Sequence, residues 1–187
     1  GSTYVLITYS ENNQHPIRLY DVAHKSGHSV TKTTLDPSAS QVTTFEATIA
    51  AFSSEGRLLA VACSDNAMHM YNIRALTKGP LARFKHGELD AIGSPGYGAV
   101  HACWVEGRDQ WRVGIISGGN DGCVRVYDPL IASLDKSQGK VLARTEFDIT
   151  YFAMGDMWAG EKPLILGHCG GGLYVYDHLD GDSLPIC

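Results

Sequence analysis

The 187-residue sequence predicts an all-β protein assembled from a repeated unit of four antiparallel strands. A short phrase recurs along it: Ile17-Arg18-Leu19-Tyr20-Asp21, Met68-His69-Met70-Tyr71-Asn72, Val124-Arg125-Val126-Tyr127-Asp128 and Leu173-Tyr174-Val175-Tyr176-Asp177. Its tyrosines Tyr20, Tyr71, Tyr127 and Tyr176 lie 51, 56 and 49 residues apart, the spacing of one supersecondary unit copied along a chain. Between the copies stand apolar runs of strand length, separated by Gly, Asn, Asp and Ser turns.

The second copy shows the unit most clearly. Ala47 to Phe52 reads as a first strand, closed by the turn Ser53-Ser54-Glu55-Gly56. Leu58 to Cys63 is a continuous apolar run, as expected of a strand buried on both faces. Ser64-Asp65-Asn66 supplies turn chemistry, Met68 to Ile73 is the third strand, and Leu81 to Phe84 the fourth. The third copy repeats this order with Val100 to Val105, Val113 to Ser117, Val124 to Tyr127 and Val141 to Thr145. Asp65 and Asp121 each precede the repeat tyrosine by six residues, and Gly170 holds that place in the fourth copy. The first copy has a longer hairpin, from Ser10 to Pro16. Helical periodicity is weak. Its best candidate is one turn within Pro129 to Lys136, in the connection after a third strand.

Composition bounds the function. A hydrophobic share of 44% with 19% charged residues is that of an ordinary folded domain. A net charge of −5 gives no general attraction to nucleic acid or anionic lipid, and no apolar run approaches the roughly 20 residues that span a bilayer. Cys63, Cys103, Cys123, Cys169 and Cys187 form an odd set without Cys-x-x-Cys spacing, which points to reduced thiols, an intracellular protein of cytoplasm or nucleus, and no metal motif. Gly1-Ser2 reads as the scar of a removed tag, leaving a sequence that opens at Thr3 inside a strand-like run.

The repeat-closing phrases Leu19-Tyr20-Asp21-Val22, Met70-Tyr71-Asn72-Ile73, Val126-Tyr127-Asp128-Pro129 and Val175-Tyr176-Asp177-His178 resemble those of the WD-repeat β-propeller family. Phe52 to Ala60 resembles the family's passage from first to second strand, and Gly118-Gly119-Asn120-Asp121-Gly122 its second hairpin. Tyr-Asp or Tyr-Asn stands where the family favours Trp-Asp. The family's Gly-His dipeptide is replaced by Gly27-His28, early in its connection, and by the reversed His86-Gly87. The resemblance covers Thr3 to about His178. It implies a propeller of about four blades in this chain, at 3–45, 46–86, 99–146 and 147–187, two complete and two partial, within a larger ring. It also implies a structural hydrogen bond between His86 and Asp121. The same pairing for Asp65 would call on His28, and Gly170 leaves the fourth repeat without the acid.

Chemistry follows the same lines. Asp65, Asp121, Asp128 and Asp177 recur at equivalent places, as structural turn residues do, and no nucleophile elbow surrounds Ser64, Ser117 or His86. Gly93 to Gly98 lacks the Lys-Ser/Thr ending and following helix of a phosphate loop, so it reads as a connection. No cofactor and no catalytic residue are expected. Trp111 and Arg108 in one turn between first and second strands, Trp158 in another, and Tyr97 on the long connection are the candidate partner-binding residues, because Trp, Tyr and Arg dominate interface hot spots. The resemblance implies a non-catalytic scaffold that binds other proteins, with a homo-oligomer, a complementing half-ring or further blades completing the propeller. The alternative class is a propeller enzyme or small-molecule binder with a site in the central channel.

Overall fold

The computed structural model describes residues 4–8, 16–21, 31–34, 47–87, 98–106, 113–129, 139–155 and 164–177. They form four antiparallel sheets in chain order. The first holds β1 (Tyr4–Thr8), β2 (Pro16–Asp21) and β3 (Thr31–Thr34). The second holds β4 (Ala47–Phe52), β5 (Leu58–Cys63), β6 (Ala67–Asn72) and β7 (Ala82–Lys85), each paired with the next. In the third, β8 (His101–Glu106), β9 (Val113–Gly118), β10 (Cys123–Tyr127) and β11 (Lys140–Arg144) repeat that order. The fourth holds β12 (Ile149–Met154), β13 (Leu164–His168) and β14 (Leu173–Tyr176). These sheets are blades 1 to 4.

Tight hairpins fix the strand register. In the turn from β4 to β5, Gly56 sits at φ 65° and donates to the Ser53 carbonyl at 2.8 Å, while the Ser53 hydroxyl accepts from Leu58 N at 3.0 Å. The β5–β6 and β9–β10 turns share a design. Asp65 and Asp121 each accept from the amide two residues on, and the intervening Asn66 (φ 60°) and Gly122 (φ 68°) are left-handed. Asn tolerates that region better than most side chains, whereas a Cβ at Gly122 would also lie 2.4 Å from the Thr145 carbonyl oxygen.

The blades stack face to face. Ile17 and Leu19 of blade 1 pack on Leu59, Val61, Cys63 and Tyr71 of blade 2. The other face of blade 2, with Ala60, Met68, Met70 and Phe84, meets Ala102, Ile115 and Tyr127 of blade 3. Ile116, Val124, Val126 and Ala143 then meet Ile149, Phe152, Leu164 and Leu166 of blade 4. Each buried side chain of this size contributes about 1.5–3 kcal/mol, so a blade depends on its neighbours. The repeat tyrosine belongs to these interfaces: Tyr127 faces blade 2, its ring centroid 5.0 Å from that of Phe84.

The structure adds a helical turn that the sequence did not indicate. A 3-10 helix spans Ile73–Lys78 after β6, with the Asn72 side chain capping Arg74 N at 2.9 Å and Gly79 ending it. Leu76 from this turn joins the core between blades 1 and 2. Most of the Pro129 to Lys136 segment lies outside the described residues.

Candidate interaction surface

The β9–β10 hairpin carries a buried polar network that fixes one rim of the molecule. Asp121 Oδ1 lies 3.0 Å from His86 Nδ1, and Oδ2 accepts from Gly87 N at 3.1 Å and Arg125 Nε at 2.9 Å. The carboxylate can only accept, so His86 Nδ1 carries the proton toward Asp121, and Nε2 lies 2.6 Å from the Ser117 hydroxyl. Burial alone would raise the Asp121 carboxyl, but the hydrogen bond and charge of His86 and the Arg125 guanidinium outweigh it and hold the group at about 2. Gly119 makes room for the imidazole, since a Cβ there would lie 2.3 Å from His86 Nδ1. Blade 2 reaches into the same network. Asn66 donates to the Gly87 carbonyl at 2.8 Å and accepts from Asn120 N at 3.2 Å, tying the two hairpins together.

Tyr127 stands where the Trp of the resemblance would be. Its ring is buried edge-on to His86, and its hydroxyl lies near Ser117 without reaching hydrogen-bond geometry. An unsatisfied buried hydroxyl opposes folding. Tyr127→Phe is therefore expected to leave stability unchanged or raise it by about 1 kcal/mol, read from the urea midpoint. A loss of similar size would place that hydroxyl in a bond to Ser117.

The equivalent places in the other blades are filled differently. In blade 2, Asp65 pairs with Arg83 and lies 3.8 Å from His69 Nε2. Burial would raise its carboxyl, but His69 and Arg83 prevail and keep it below the usual value. In blade 4 the ring of His168, two residues before Gly170, occupies the hairpin itself. Its Nδ1 accepts from Gly170 N at 3.1 Å, and the ring stacks on Phe147 at 5.0 Å.

The outer face of blade 4 differs from every equivalent surface in blades 2 and 3. Leu173 and Val175 are 71% and 52% exposed, and Ile165 37%. Their counterparts by distance from the hairpin, Val124, Val126 and Ile116 in blade 3 and Met68, Met70 and Ala60 in blade 2, are at most 4% exposed. Tyr151 is also exposed, but its ring lies 4.7 Å from that of His101 in blade 3. β14 is one edge of this sheet, and among the described residues it pairs only with β13. An apolar sheet face beside an unpaired edge is a surface made for another sheet.

Tyr97, Arg108, Trp111 and Trp158 all lie outside the described residues. Asp65, His86 and Asp121 lie together on the hairpin rim of blades 2 and 3, with His86 and Asp121 in direct contact. Sequence reasoning did not single out the apolar face of blade 4. The signal for it is the run Leu173-Tyr174-Val175, whose copies in other blades fill the inter-blade cores.

Neither a family model nor a curated protein matches the sequence. Solved structures do match in shape. One is the structure of the Dos1 propeller, with a TM-score of 0.68 and 20% identity over 91% of this chain. Another, the C-terminal WD40 domain of Sif2, gives a TM-score of 0.57 and 17% identity, again over 91% of this chain. The chain spans 38% of the first structure and 39% of the second, so it corresponds to less than two-fifths of either. Stacked sheets of three and four strands, the hairpin network between blades 2 and 3 and these likenesses establish the fold as that of a WD-repeat β-propeller.

Proposed function

We propose that the protein is a non-catalytic interaction scaffold, its blades holding rim loops rigidly against one another for binding other proteins within the cell. The observation that carries this reading is the His86–Asp121–Arg125 network with its Asn66 strut, which spends buried polar groups on fixing a rim and not on assembling a reactive centre. A fixed rim presents connecting loops in constant geometry, the arrangement from which loop-based recognition draws its specificity. Tyr97, on the connection that follows His86 and Gly87, is the proposed anchor on that rim, and Arg108, Trp111 and Trp158, in turns between first and second strands, are the proposed anchors on the opposite one. Trp111→Ala or Trp158→Ala in the full chain is expected to lower partner capture from cell extract at least tenfold without changing the melting transition. Unchanged capture, or loss of cooperative melting in both variants, would contradict this role.

The proposal includes a further sheet of the same blade type over the outer face of blade 4. It rests on the exposed Ile165, Leu173 and Val175 at positions that neighbouring blades cover elsewhere. Further blades of one ring and a second chain would both bury that face. Sedimentation separates the two, because a complementing chain requires an oligomer.

A further inference from the structure

The repeat breaks its own pattern at the hairpin of blade 2. Two residues before the hairpin acid, blade 3 has Gly119 and blade 2 has Cys63; four residues after it, blade 3 has Arg125 and blade 2 has His69. Cys63 ends β5 and His69 lies on β6, and both side chains are fully buried. The turn between them folds Asp65 back over the pair. The thiol sulfur, one carboxylate oxygen and one imidazole nitrogen thereby lie within 4.8 Å of one another. Sequence spacing alone gives no metal motif here, because the ligands converge only through the hairpin.

We propose that Cys63, Asp65 and His69 bind a transition-metal dication of the zinc class. The donor set of thiolate, imidazole and carboxylate selects zinc or cobalt over magnesium or calcium, which take oxygen ligands. His69 Nε2 and Asp65 Oδ2 are 3.8 Å apart, too far for a hydrogen bond and within the span of two metal bonds of about 2.0–2.2 Å each. With the three donor atoms within 4.8 Å of one another, tetrahedral closure draws them together by at most about one ångström, given a Zn–S bond of about 2.3 Å. On binding, the Cys63 S–H bond breaks, its proton leaves to solvent, and the sulfur lone pair forms the bond to the ion. Thiolate and carboxylate bring two negative charges to the dication and the Arg83 guanidinium. Arg83 pairs with Asp65 Oδ2 and orients the carboxylate from outside, and a carboxylate oxygen has lone pairs for both partners. The partly exposed Asp65 and the exposed Ser64 give the ion a path from solvent and leave a fourth position for water.

Blade 3 has no counterpart. There Asp121 is occupied by His86, Arg125 and the amides of Gly87 and Cys123, and a guanidinium replaces the imidazole.

The test is titration of the full chain with Co2+ under reducing conditions. One equivalent should produce a thiolate-to-cobalt charge-transfer band that Zn2+ abolishes by displacement. Cys63→Ser should remove the band, His69→Gln should weaken binding at least tenfold, and Cys169→Ser should leave both unchanged. X-ray absorption of the zinc-loaded Cys169→Ser protein should show one sulfur at about 2.3 Å. That measurement holds even where Cys63→Ser or His69→Gln fails to fold. A band that persists in folded Cys63→Ser, a band lost in Cys169→Ser, or a zinc shell of nitrogen and oxygen alone would overturn the proposal.

Discussion

Asp121→Ala is expected to destabilise the full protein by about 3–5 kcal/mol, the cost of leaving a buried charge without its partner. The mutation takes from Arg125, whose side chain is 11% exposed, its carboxylate, and removes the acceptor that orients His86. It also releases the amides of Gly87 and Cys123, which hold the connection and the hairpin turn. Asp65→Ala, with Arg83 a third exposed and able to turn to water, should cost much less. Urea unfolding of the two variants checks the difference. Equal and small losses would show that the network is peripheral to stability.

The same carboxylate predicts an acid transition. Its folded-state value of about 2 lies below the usual 3.8, so the unfolded chain binds the proton more readily. Its contribution is fully present above about pH 4 and is lost as pH falls through about 2, with a magnitude near 2 kcal/mol. Stability of the parent protein should therefore fall over that window, and Asp121→Ala should flatten the fall. A parallel decline in both proteins would assign acid sensitivity to other carboxylates.

Ile165→Asp in the full chain is the second large effect expected. Under a covering sheet, the new carboxylate would be buried without a partner and cost several kcal/mol, enough to abolish a cooperative transition in a marginally stable protein. On a solvent-facing sheet the same change would fall within about 0.5 kcal/mol of neutral. A control at Glu55, an exposed turn residue, fixes the scale of a harmless substitution.

The repeated unit was legible because its strands obey local rules. Ala47–Phe52 and Leu58–Cys63 fall at the bounds that turn chemistry and apolar runs indicate. The third strand of blade 2 ends at Asn72 and not Ile73, because Asn72, the last residue of the ladder opposite Leu58, also caps a 3-10 turn that begins at Ile73. That cap looks, in sequence, like one more copy of Tyr-Asp. The hairpin network is legible only in part. Resemblance names His86 and Asp121, which are 35 residues apart, but no periodicity indicates that Asn66 from the preceding blade would brace their turn. Blade 4 was opaque for a similar reason. His168 and Phe147 fill the space of a missing acid by stacking, and stacking between the end of a strand and a connection before the sheet leaves no spacing signature. The convergence of Cys63, Asp65 and His69 likewise depends on where a hairpin folds back.

Thiol labelling of Leu173→Cys in a Cys169→Ser background of the full protein tests the scaffold architecture most directly. Leu173 is 71% exposed on blade 4, at a place where Val124 and Met68 are fully buried in their own blades. With further sheet stacked on that face, the introduced thiol should resist labelling under native conditions and react only on unfolding. Prompt labelling of the native protein would mean that blade 4 faces water and that the propeller is not completed there.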